Sequence, residues 1–174
     1  MCIRDSPYTA FGGRPLFYQE VSRVRESLRD DSVADRNGLA QRISGFIARL
    51  HDGHTFVNGN AVAGTPRYLP LRFRHVADAL IVREAPDSLR RLVGGKVISV
   101  DGADLDVLMH RMSAIMTSEN SSGTMENLRY HLNDERYLKR LTGVATDSAV
   151  IKVGLPDGSV ERLELPFLSY DEVM

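Results

Sequence analysis

The period of the apolar pattern changes once along this chain, and that change limits the folds open to it. Up to about residue 57 apolar residues recur at helical spacing: Phe17, Val21, Val24 and Leu28, then Leu39, Ile43, Phe46, Ile47 and Leu50. Beyond Pro66 they alternate, with Leu69, Leu71 and Phe73 on one side of an extended segment. Between the two lies Asn58 to Pro66, rich in Gly, Ala, Asn and Pro, which reads as a linker. A helical unit followed by a sheet-bearing unit is an α+β chain, and one long bundle or one continuous sheet is excluded.

The first two stripes predict a helical hairpin. Pro15 stands near the start of the first helix, Ser32 or Asp35 caps the second, and the connection is short enough for antiparallel packing. After the linker, Ala77-Asp78 turns a strand back into Leu80-Ile81-Val82. A strand Val97–Val100 lies between Gly94-Gly95 and the turn Asp101-Gly102. Asp104 then caps a helix whose apolar face is Leu105, Leu108, Met109, Met112, Ile115 and Met116; methionines at that spacing are adaptable core filling. Ser118 to Gly123 reads as a polar turn. Leu128, Leu132, Leu138 and Leu141 predict one or two helices, broken near Asn133-Asp134 and stopped at Gly143. A last hairpin joins Val150–Leu155 to Val160–Phe167 through Pro156-Asp-Gly-Ser159.

Composition narrows the function classes. Lys plus Arg number 22 and Asp plus Glu 23, so no basic field awaits nucleic acid. Cys2 is the one cysteine, which leaves no disulfide framework and no thiolate metal site. No run reaches the roughly 20 apolar residues of a membrane span. Met1 to Ser6 reads like a translated adapter and Leu168 to Met174 ends without a closing element, so the chain is expected to be a fragment.

The segment Leu50-His-Asp-Gly-His-Thr-Phe-Val57 places a charged, polar cluster at the end of the second helix. His54 follows Asp52-Gly53, where backbone bends freely, and imidazole titrates near neutral pH, as a general base must. A histidine bonding helix-end carbonyls is the structural reading of the same residue. His51 and His54 stand three apart beside Asp52, but this set lacks a remote ligand, so no metal is assigned. His75, His110 and His131 fall on strand or helix faces and read as structural or solvated. Ser99 lies inside a strand rather than on the strand-turn-helix elbow that exposes a nucleophile.

Taken in order, Leu50-His-Asp-Gly-His-Thr55, Leu69-Pro-Leu-Arg-Phe73 with Ala79-Leu-Ile-Val82, and Gly94-Gly-Lys-Val-Ile-Ser-Val-Asp-Gly102 resemble the front half of the C-terminal-processing and tricorn peptidase family. The resemblance covers roughly residues 14 to 170. It implies a helical N-terminal domain (14–57), a linker (58–65) and a PDZ-like domain (66–168) with a helical insertion over Ser113 to Gly143, preceded by an artefactual lead (1–13) and followed by a truncated end (169–174). In bacterial members an Ile-Ser-x-Glu-Asn-like stretch precedes such an insertion, here Ile115-Met-Thr-Ser-Glu-Asn120.

By that similarity the whole protein is a serine peptidase, the nucleophile lies downstream of this chain, and His54 is the general base. Gly53 stands where tricorn carries a serine, so that serine's role is not transferred. The family's other branch uses a Ser/Lys pair without this histidine. The resemblance requires no cofactor, names a peptide or protein as substrate, and suggests an extracytoplasmic location. A non-catalytic, peptide-binding module is the second reading. Its peptide would lie along the edge near Leu80, with Leu92, Val93, Gly94 and Gly95 offering backbone amides to a terminal carboxylate.

Overall fold

A computed structural model describes residues 8–29, 36–57 and 65–173. The caps read at Ser32 and Asp35, and most of the linker, lie outside these residues. The chain divides into two compact units: Met1–Gly64 with Ser113–Thr124, and Thr65–Met112 with Met125–Met174.

In the first unit, α1 (Arg14–Ser27) and α2 (Arg36–Ala48) pack as a pair, with Pro15 in the first turn of α1. Aromatic rings hold them together. Phe11 stacks on Phe46 at 5.3 Å between centroids, and Phe17 meets both Phe11 and Phe46 at 5.5 and 5.9 Å. The Arg42 guanidinium, reaching back, donates to the carbonyl of Ser27 at 2.7 Å and satisfies an orphan acceptor at the end of α1. In α2 the residues Ile43, Phe46 and Ile47 of the expected stripe are half-buried. Ala40 and Ala48 are buried, whereas Leu39 is 40% exposed. A Cβ at Gly45 would stand in ordinary contact with the carbonyl oxygen of Ala114, at 3.8 Å.

The second unit is an antiparallel sheet with helices, so the α+β class holds. Its strands are β1 (Arg72–Val76), β2 (Ala79–Glu84), β3 (Lys96–Val100), β4 (Ala103–Asp104), β5 (Ser148–Gly154) and β6 (Val160–Pro166). Among the described residues their order is β1-β2-β3-β5-β6, with β4 on β3. The β1–β2 hairpin turns at Ala77-Asp78, where Ala77 takes φ 48°. The β5–β6 hairpin turns at Pro156–Ser159, with Gly158 at φ 88°. Phe73, Leu80, Val82, Val97, Val100, Ile151 and Val153 bury one face of the sheet.

Three helices follow β4: α3 (Leu105–Ile115), α4 (Ser121–His131) and α5 (Glu135–Thr142); α6 (Tyr170–Val173) comes last among the described residues. Leu108, Met112, Leu128, Leu132, Leu138 and Leu141 are fully buried. The stretch read as a polar turn in fact starts α4, because Asn120 Oδ1 accepts the amide of Gly123 at 2.9 Å. Asp134 divides α4 from α5. Its carboxylate accepts the amide of Arg136 at 2.9 Å and both Nε and NH2 of that guanidinium at 3.0 and 2.6 Å. Gly143, at φ 77°, ends α5.

His131 gives this unit a pH response. Its ring packs on Tyr137 at 4.3 Å, and burial holds its pKa below the usual 6.5, Arg136 adding to the effect and Asp134 opposing it. The folded state therefore binds the proton less well than the unfolded chain. Stability is full above pH 6.5 and is lost as the pH falls through the lower folded value. Urea titrations at pH 7.5 and pH 5.5 are expected to show this loss, with His131→Phe reducing it.

Candidate functional site

The chain leaves α2 through His51, whose φ of 52° turns the backbone sharply. Asp52 then organises the loop. Its Oδ1 accepts the amide of His54 at 3.0 Å, its Oδ2 accepts the hydroxyl of Thr55 at 2.6 Å, and its carbonyl accepts the amide of Thr55 at 3.1 Å. The Thr55 hydroxyl, followed by the His54 amide, holds the Asp52 carboxyl below the usual carboxylate range. Asp52 is thus ionised at neutral pH and fixes the backbone on both sides of the histidine.

His54 projects from this turn with its side chain 92% exposed. Its Nδ1 stands 3.6 Å from Asp52 Oδ1, so a small rotation brings the two into hydrogen-bond distance. The opposite nitrogen, Nε2, is left for a reacting group. In the sequence Asp52 is the acid that stands beside His54. The structure adds Glu119, whose carboxylate lies with the ligand atoms of Asp52 and His54 inside a sphere of contacts no wider than 4.8 Å. Buried Thr117 secures that segment by donating its hydroxyl to the carbonyl of Asp52 at 2.8 Å, 65 residues away in sequence. The signal for Glu119 was present in Ile115–Asn120, but nothing local tied that stretch to His54.

The residues expected to bind a peptide lie in β2 and in the turn that leads into β3. Leu80 lies in β2, between β1 and β3, with its side chain fully buried. It borders no open edge, because the outer strands are β1 and β6 among the described residues. Leu92 is fully buried, and Val93 and Gly94 are exposed. The amides of Val93, Gly94 and Gly95 donate to the carbonyls of Arg90, Val82 and Leu92 at 3.1, 2.9 and 2.9 Å. These three amides thus serve backbone pairing within the fold. These glycines serve the fold: a Cβ on Gly95 would stand 2.6 Å from Val153 Cγ1 and 2.9 Å from the Leu92 carbonyl oxygen. Gly95→Ala is expected to lower stability by about 1–3 kcal/mol in urea unfolding, the usual range for overpacking.

An open cleft does border β1. It encloses about 400 Å³, and its lining includes Tyr68, Arg72, Phe73, Arg129, Tyr130 and Asn133. Arg72 and Arg83 both approach Glu84, at 3.7 and 3.1 Å, while Arg129 pairs with Glu126. Ser99 sits in β3, opposite Asp104 and Lys152, as a strand residue.

No protein-family model and no curated protein matches the sequence. Solved structures do match the fold. Mature CPAF, a chlamydial serine protease, aligns over 92% of this chain and 30% of its own, at 20% identity with a TM-score of 0.62. A serine-to-alanine mutant of CPAF aligns over 92% and 29%, at 21% identity and 0.65. Mature CPAF complexed with lactacystin aligns over 92% and 30%, at 19% identity and 0.63. The chain spans about 30% of the length of these neighbours. These likenesses establish the fold.

Proposed function

We propose that this chain is part of a serine-type peptidase of the C-terminal-processing and tricorn kind, with His54 as general base and the nucleophilic serine supplied from beyond residue 174. The observation that carries the reading is the state of His54: an imidazole whose side chain is 92% exposed, with a carboxylate 3.6 Å from Nδ1. The fold shared with CPAF, a serine protease, supports the same reading.

The chemistry follows from the two ring nitrogens. Asp52 or Glu119 accepts the Nδ1 proton, which fixes the tautomer and leaves Nε2 as the acceptor. Nε2 takes the proton of the serine hydroxyl as its oxygen bonds to the peptide carbonyl carbon. The same proton then passes to the departing amine as the C–N bond breaks. Water repeats the sequence on the acyl-enzyme. The donors that stabilise the oxyanion belong, like the serine, to the part beyond this chain. The full-length gene product is expected to hydrolyse an unfolded protein substrate, and residues 1–174 alone to leave it intact. A full-length product without proteolytic activity overturns the proposal.

The cleft along β1 favours a second role for the sheet-bearing unit, as a PDZ-like peptide-binding module. An outer strand beside a groove lined by Phe73 and Tyr130 suits an extended peptide. Peptide binding by residues 1–174 with no full-length activity would make this the main function.

A further inference from the structure

The loop that presents His54 also gathers three side chains able to ligate a metal, two carboxylates and one imidazole. Asp52, His54 and Glu119 each offer one ligand atom, and these atoms all lie within 4.8 Å of one another. Glu119 is the remote partner that a metal site of Asp52 and His54 lacked in the sequence. It arrives on a segment fixed by the bond from Thr117 to Asp52.

The distances suit a small divalent ion. Zinc holds nitrogen and oxygen ligands at about 2.0–2.2 Å, so neighbouring ligand atoms around a tetrahedral ion stand roughly 3.3–3.6 Å apart. His54 Nδ1 and Asp52 Oδ1 are already 3.6 Å apart. Glu119, with an exposed side chain, lies within 4.8 Å and needs to close by at most about 1 Å to reach the same spacing. Each Asp52 oxygen accepts one hydrogen bond and keeps another lone pair. An all-carboxylate cluster would favour calcium or magnesium; an imidazole shifts the preference to zinc, nickel or cobalt.

We propose that Asp52, His54 and Glu119 form an open three-ligand site for a zinc-class divalent ion, completed by water. A metal on Nδ1 leaves the ring proton on Nε2, so the metal-bound imidazole accepts no proton there. If His54 is the base of a peptidase, which is the reading above, bound zinc inhibits it. The site itself stands without that reading.

Calorimetric titration of the 174-residue chain with ZnCl2, NiCl2 and MgCl2 tests the site. One zinc or nickel ion per chain is expected, with no magnesium binding. Glu119→Gln and His54→Ala should each weaken zinc by at least about tenfold. His51→Ala should change it by less than about twofold, and thermal melting without metal should show every variant folded. Zinc binding that ignores Glu119→Gln and His54→Ala, that falls equally with His51→Ala, or that is absent overturns the site. The readout is binding rather than turnover, so an inactive protein that binds zinc refutes only the catalytic reading. An active peptidase that binds no zinc refutes only the metal site.

Discussion

His54→Ala in the full-length protein is expected to lower kcat/KM for peptide hydrolysis on the order of 10³- to 10⁴-fold, the contribution of a general base to serine chemistry. The same substitution should leave the thermal stability of residues 1–174 nearly unchanged, within about 0.5 kcal/mol, as surface substitutions generally do. The reason is structural. The Asp52 turn is built from the backbone amide of His54 and the hydroxyl of Thr55, so the imidazole is not part of what holds it. Activity and folding are therefore separable at this position. Turnover that survives His54→Ala would remove the histidine from the mechanism and point to a Ser/Lys pair.

Asp134→Ala should give the largest loss of stability, about 2–4 kcal/mol. Asp134 is 5% exposed and acts in two ways. It caps α5 through the amide of Arg136, and it accepts the Arg136 guanidinium through both carboxylate oxygens. Its removal uncaps a helix and takes a carboxylate away from a partly buried cation. The damage should spread along the backbone nearby. Leu69 donates to the carbonyl of Asn133 at 2.8 Å, Glu135 donates to that of Arg67 at 3.0 Å, and Tyr68 exchanges bonds with Leu168. Asp134→Asn keeps a cap acceptor and loses only the charge, so it should cost less. Urea unfolding of both variants measures the difference; a loss below about 1 kcal/mol for Asp134→Ala would mean that Arg136 relaxes into water.

The elements that the sequence made legible are those whose signal is local. The helical pair, both hairpins, the division at Asn133-Asp134 and the stop at Gly143 each rest on periodicity or on one residue with a special backbone role. Three features escaped because they depend on packing. The start of α4 rests on a side-chain bond from Asn120 that looks, in sequence, like any polar turn. Ala40 rather than Leu39 is buried because helix rotation is set by the neighbours of α2. The amides of Val93 to Gly95 are taken by carbonyls from Val82 to Leu92, and no spacing rule reveals that. The candidate site divides the same way: His54 and Asp52 are visible as neighbours, whereas Glu119 reaches them only through the tertiary fold.

The central claim, that His54 serves a serine lying outside this chain, is tested most directly by labelling the full-length protein with a fluorophosphonate and identifying the modified residue by mass spectrometry. One serine beyond residue 174 should be labelled, and His54→Ala should slow that labelling strongly while the protein stays folded. Labelling of a serine within residues 1–174, labelling indifferent to His54→Ala, or none at all would contradict it.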